Sequence, residues 1–451
     1  MERHFKLKKG LDVRLAGEAA ATVRTATQAP LYAVRPADFH GLVPRLLVKE
    51  GERVKAGTPL LTDKATERIN VVSPVSGTVK EVMRGARRKI LYITVQPDAR
   101  QEAVDFGKPD LAAISRDDAL ELLLKSGLFA YLRQRPYDVT ASPLDTPKAV
   151  FVSAFSKMPL AADFSFVAQG REDKFKAGIA LLSKLAPVYV GIAPEQETSA
   201  LLPLPEATVS VFDGPNPSGN VGVHINHLAP VNKGETVWTL GAEEAIFVGE
   251  LAVTGRVDFT RRIAVAGSQV AESQYVETVV GAQIAHLLGA DTPAEGAHTR
   301  IIDGNPLVGR KVEATDFLGA HTTEVCLLPE GDDTHEVLGW IAPRLKQFSA
   351  NRSYLSWLLG KNRAYDLDCR IKGGERRMIM SGEYDRVFPM DIYAGYLVKA
   401  IIAGDIDRQE ALGIYEVAPE DFAVAEFVDS SKLELQRIVR EGLDLLRKEN
   451  A

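Results

Sequence analysis

Cysteine is nearly missing from this chain of 451 residues, in which only Cys326 and Cys369 occur. No C-x-x-C pair can bind zinc or an iron–sulfur cluster and no disulfide framework can form, which fits a reducing compartment. No window of 18 apolar residues exists to span a bilayer, and the opening "MERHFKLKKG" lacks the apolar core of a signal peptide. Any work at a membrane therefore calls for other subunits as the anchor. Runs of five or six like charges are also absent and the formal net charge is only -6, so nucleic acid is not expected as a partner. The short basic clusters "RGARRK" (84–89) and "LRQRP" (132–136) read as solvated loops. Phosphate and nucleophile signatures are missing too. The glycines of "GNVG" (219–222) lack a following Lys-Ser/Thr pair or a G-x-G-x-x-G helix start, and no G-x-S-x-G elbow appears. No catalytic residue and no metal site is expected.

What is present is the balance of an ordinary folded protein, 45% apolar and 25% charged, with room for three or four domains. Between about 40 and 96, short β-type runs alternate with Gly and Pro, so residues 1–100 read as a small all-β unit with an N-terminal extension. In "SRDDALELLLKSG", Ser115 and Asp118 mark a helix start and Gly127 its end. Residues 101–257 read as an α/β, Rossmann-like domain: "AVFVSAF", "PVYVGIA" and "EAIFVGE" as strands, and "EDKFKAGIALLSKLA" as a helix with Phe175, Ile179, Leu182 and Leu185 on one face. Residues 258–330 follow the order strand, helix, strand, strand of a β-grasp unit. Residues 331–451 read as mainly helical. They close on an amphipathic helix with Leu435, Ile438, Val439, Gly442, Leu445 and Leu446 on one stripe.

The run "EGERVKAG" with "LLTDKATERINVVSPVSGTV" resembles lipoyl and biotinyl domains, a barrel-sandwich hammerhead in which a hairpin presents one lysine. Lys64 holds that place. Eight residues separate it from Ser73, a longer tip than such domains use, and no swinging linker flanks the unit. Lys64 is expected to be an unmodified turn residue.

Several long, ordered stretches resemble one family across essentially the whole chain: "KKGLD" (8–12), "VFVSAFSKMPLAAD", "FDGPNPSGNVGVHINHLAPV", "AGSQV", "YLSWLLGK", "SGEYDRVFPMDI" and "LGIYEVAPEDFA". Together they are similar to the A-subunit family of Na+-translocating NADH:quinone oxidoreductases, related to the C subunit of Rnf complexes and to the flavin subunit of respiratory complex I. The resemblance implies a peripheral subunit on the cytoplasmic face of the bacterial inner membrane. Its partners would be the membrane-embedded and peripheral subunits of a complex that passes electrons from NADH to a quinone such as ubiquinone and exports Na+. It also implies a soluble-ligand-binding (SLBB) type of β-grasp unit, and no permanent cofactor in this chain.

The residues agree with that last expectation. Flavin-bearing cousins use a glycine-rich loop so that backbone N–H groups can approach phosphate. Here "SGLFAYLRQRPYD" retains only Gly127, and "EDFAVAEFVDSSK" holds no cysteine. Phe129, Arg133, Arg135 and Tyr137 form an aromatic and cationic set suited to a quinone ring or a neighbouring subunit. His224 and His227, three apart in "VHINHL", are read as loop or strand residues that hold a domain junction or touch the same ligand, with no third metal ligand in view. Rival readings are a carrier module modified at Lys64, a soluble quinone-binding regulator, and an oxidoreductase subunit that binds flavin and NADH.

Overall fold

Valines crowd the strands at the centre of the molecule, and burial on both faces explains why. Val150, Val152, Val188, Val190, Val211 and Val237 are all under 3% exposed, as parallel strands sandwiched between other layers require. The computed structural model describes residues 3–294, 296–333, 344–360 and 363–450. Its largest sheet has seven strands in the order Arg3–Lys6, Ala207–Asp213, Val188–Ile192, Val150–Ser153, Val237–Gly241, Arg133–Arg135, Val139–Thr140. The first five run parallel and the last two antiparallel.

Two helices beside this sheet meet each other in direct backbone contact. Glu172–Leu182 crosses Ala242–Thr254 at Gly178 and Gly249, where an added Cβ would lie 1.9 Å from Ala245 O and 1.6 Å from Lys174 O respectively. The second helix corrects the strand expected at "EAIFVGE". Its residues from Ala242 to Gly249 are all buried, so an apolar run all round the helix carries no 3.6-residue period to distinguish it from a strand.

The all-β unit consists of a four-stranded sheet (Tyr32–Val34, Ile90–Pro97, Gly77–Arg84, Arg53–Val54) and a three-stranded one (Pro44–Leu46, Pro59–Asp63, Asn70–Val72). It meets the α/β unit at Gly127. That residue ends the helix Arg116–Ser126 with a left-handed φ of 78°, and a Cβ there would lie 2.5 Å from Val72 Cγ1. The expected cap at the other end is formed by Ser115 Oγ, which accepts from the amide of Asp118 at 3.1 Å.

A six-stranded sheet follows, ordered Arg310–Val312, Thr299–Asp303, Glu324–Pro329, Thr260–Ala266, Gln274–Val279, Ala20–Thr25. Its hairpin partner Gln274–Val279 has no place in the expected order of strand, helix, strand, strand. The first 25 residues thus supply an edge strand to each of two sheets before the chain enters the all-β unit.

Beyond 344 the expectation of mainly helical structure holds only in part. Among the described residues from 344 to 393, regular helix is limited to the 3-10 turns Leu355–Leu359 and Tyr384–Arg386. The α-helices Ala394–Ile402, Ile406–Ala411, Ala423–Val428 and Leu435–Glu449 come later. The last buries Leu435, Val439, Gly442, Leu443 and Leu446, while Leu445 is 39% exposed. At 3.6 residues per turn Leu445 lies about 100° from the centre of that stripe and Leu443 about 60°. Leu443 therefore takes the buried place expected of Leu445.

Candidate functional site

Parallel sheets place ligand sites beyond the carboxyl ends of their strands, where the strand order reverses. Val150–Ser153 and Val237–Gly241 are the neighbours at that reversal, with Ser153 opposite Gly241, and a cavity of about 660 Å3 opens beside both residues. Phe155, Met158, Phe164, Val167 and Leu240 give it an apolar side. The remaining lining is largely polar and charged.

One charged wall gathers three arginines on one aspartate. Arg135 Nη1 donates to Asp138 Oδ1 at 2.5 Å, Arg133 Nη2 to Asp138 Oδ2 at 2.9 Å, and Arg440 Nη1 to the Asp138 carbonyl at 3.0 Å. Burial opposes the charge on Asp138, but Arg133, Arg135 and Arg440 outweigh it and hold the carboxyl below its usual range. Arg133 is the accessible member, with 38% of its side chain exposed against 1% for Arg135.

The lining also carries the acids Glu243, Glu244 and Glu324. Arg261, fully buried, donates to Glu244 at 2.8 Å and lies 3.4 Å from Glu243. Burial opposes ionisation of Glu244, yet Arg261 and His321 outweigh it and pull its pKa to about 2, whereas burial raises that of Glu243. Glu324 accepts from Thr323 Oγ at 2.6 Å, from the amide of Ala162 and from Asn305, and burial raises its pKa.

Two helix amino ends face the cavity through Asn220, Val221, Gly241 and Ala242, the kind of position that receives a phosphate when it is open. Here the protein's own acids lie against both. An added Cβ at Gly222, in the first turn of the helix Val221–Leu228, would lie 2.3 Å from Asp421 Oδ2, and one at Gly241 1.9 Å from Glu244 Oε2. Asp421 also accepts from the amide of Ala418 at 2.8 Å and from Asn220 at 3.4 Å. Burial and Glu420 push its pKa up to about 7.

Of the residues expected at a site, Arg133 and Arg135 line the cavity. Phe129 does not: it is fully buried, edge-on to Trp238 at 5.4 Å between ring centroids. Tyr137 turns the other way, where its hydroxyl lies 3.3 Å from Asn450 Nδ2. The loop or strand expected at "VHINHL" is instead the helix Val221–Leu228, which starts after Asn220, because four of its residues are buried and the loop glycine Gly219 precedes it. His224 is stacked on Phe212 at 4.1 Å and on Phe155 at 5.8 Å, and its Nε2 meets Ser218 O at 2.9 Å. His227 Nδ1 meets Val223 O, also at 2.9 Å. Neither histidine lines the cavity. Among the described residues, the one group spaced to hold a metal is the exposed set His298, Asp332 and Asp333.

Sequence reasoning missed Glu243, Glu244, Glu324, His321, Asp421 and Arg440. The signal for Asp421 lay in "LGIYEVAPEDFA"; Glu243 and Glu244 were obscured by reading their helix as a strand. Lys64 is exposed on the tip between Pro59–Asp63 and Asn70–Val72. Asp63 shapes that tip, accepting from the amides of Val43 at 3.1 Å and Thr66 at 2.9 Å.

Residues 5–98 match the "NqrA N-terminal barrel-sandwich hybrid domain", residues 114–257 the "NqrA second alpha/beta domain" and residues 262–314 the "NQRA C-terminal domain" of SLBB type. The A subunit of the Na(+)-translocating NADH-quinone reductase of Serratia proteamaculans is 35% identical over 451 residues, covering 99% of this chain and 100% of that protein. Its counterpart from Marinomonas sp. is 34% identical over 449 residues, and that from Photorhabdus laumondii 35% over 455, with the same coverage. The chain belongs to the NqrA family, the A subunits of the Na(+)-translocating NADH-quinone reductases.

Proposed function

We propose that this chain is a peripheral, cofactor-free component of a Na+-translocating NADH:quinone reductase, at the cytoplasmic face of the inner membrane, and that its cavity receives the quinone ring. Translocation of an ion requires a membrane, and no helix among the described residues is long and apolar enough to cross one. Neighbouring subunits supply the crossing, and the electrons from NADH reach quinone through groups those subunits carry. In the finer reading, the seven-stranded unit is a Rossmann-like remnant, the six-stranded unit a β-grasp, and the C-terminal part a helical cap. Lys64 is an unmodified turn residue.

The observation that carries this reading is the filling of both helix amino ends by Asp421 and Glu244. A nucleotide phosphate entering there meets the side chains of Asp421 and Glu244 in place of free N–H groups, and Glu244 is held ionised. Phe129 and Tyr131, buried in the loop after Gly127, fill the path that a glycine-rich flavin loop would leave open. A neutral ring with two carbonyl oxygens escapes the repulsion. It can pack on the apolar side beside Phe155 and Phe164 and accept a hydrogen bond from Arg133.

A water-soluble short-chain ubiquinone analogue titrated into the full chain tests this. A hydrogen bond to a charged donor contributes about 1.5–3 kcal/mol. Arg133→Ala is therefore expected to weaken binding about tenfold or more, with Asp138 still held by Arg135 and Arg440. An unchanged dissociation constant, or no binding to the unsubstituted chain, contradicts the reading.

A further inference from the structure

Away from the cavity, the 3-10 turn Leu355–Leu359 turns its apolar side chains outward. Only Ser356 is buried, while Leu355 is 49%, Trp357 43%, Leu358 62% and Leu359 49% exposed. Soluble surfaces tolerate single exposed leucines, but four large apolar side chains on one turn mark a contact surface. The surrounding charge is predominantly positive. Among the described residues from 344 to 377, eight are Lys or Arg and three are Asp or Glu, in a chain whose formal net charge is -6. Arg352 lies over the Trp357 ring, 5.0 Å from its centroid, and Arg363 ties the turn's flank to Leu345 O at 3.0 Å. Next to this segment, a groove of about 520 Å3 is lined by Phe348, Tyr354 and Phe427, and its charged lining is mixed, with Arg370 and Lys372 paired to Asp368.

We propose that this apolar turn and its basic flanks form a docking surface for anionic phospholipid, with the leucines entering the acyl boundary and the arginines and lysines meeting the phosphates. Charge complementarity selects this occupant. An indole with leucines beside an excess of cationic side chains is the pattern of segments that lie in the headgroup layer. A phosphate-bearing surface attracts the exposed Lys346, Arg352, Arg376 and Arg377 together, and long basic side chains reach the headgroups while their stems cover apolar surface. None of the residues of this turn lines the quinone cavity, and the proposal does not depend on what the cavity binds.

The test is sedimentation of the full chain with vesicles of phosphatidylcholine alone and of phosphatidylcholine mixed equally with phosphatidylglycerol. The indole emission is followed in parallel, with brominated acyl chains as quencher. Binding about tenfold stronger to the anionic vesicles, screened by salt, is expected. Trp357→Phe is expected to remove the quenched emission, and Leu358→Ser to weaken binding without loss of fold, since both positions are exposed. Equal binding to the two vesicle types, no binding to either, or quenching that survives in Trp357→Phe overturns the proposal. Those outcomes leave the surface to a neighbouring protein of the complex.

Discussion

His224 shows what a single side chain contributes when packing, not chemistry, decides its state. Burial between Phe212 and Phe155 holds its pKa down at about 4, from an ordinary value of 6.5. As pH falls from 6.5, the unfolded chain takes up a proton that the folded chain refuses until about pH 4, so stability present at neutral pH is lost through that window. The loss is up to about 3 kcal/mol. His224→Phe keeps the ring stack and removes the titration, so its stability is expected to fall less between pH 6.5 and about pH 4; parallel pH profiles for the two proteins contradict this. Asp421 has the opposite sign. Its raised pKa makes a contribution present at low pH that is lost as pH rises through about 7.

At the scale of elements, the helix pair Glu172–Leu182 and Ala242–Thr254 depends on glycine at the crossing. The neighbours of Gly178 and Gly249 are backbone atoms that no rotamer change can move. Gly249→Ala must therefore separate the helices. A loss of about 3 kcal/mol or more is expected in chemical denaturation, and an unchanged midpoint would show that the pair yields without strain. The first helix of this pair was legible from the face shared by Phe175, Ile179 and Leu182, and the helix Arg116–Ser126 from Ser115 and Gly127. The second was not, because a helix buried on every side has no polar face to betray its period. The strand Gln274–Val279 also escaped notice: it forms a hairpin with the preceding strand, and its other edge pairs with a strand from the start of the chain. Register with Thr260–Ala266 and Ala20–Thr25 places it, not a local pattern.

At the scale of the whole molecule, the cavity is assembled from segments spread from His40 to Arg440. The sequence reading recovered the family and the two lining residues Arg133 and Arg135, which stand within one short stretch. It placed Phe129, Tyr137, His224 and His227 with them by proximity along the chain, and tertiary packing separates them. The acids that fill the helix amino ends come from opposite directions. Glu244 folds back on its own helix, and Asp421 arrives from the 3-10 turn Pro419–Phe422, some 200 residues beyond the helix it faces. Only the folded chain brings these together into a cavity with an apolar side, an accessible arginine and no open phosphate position. The most direct measurement of its role is photolabelling of the intact complex with an azido-quinone, followed by mapping of the labelled peptides. Label on this chain within the cavity-lining segments 133–167, 219–244 or 303–324 is the expected result, and label confined to other subunits contradicts it.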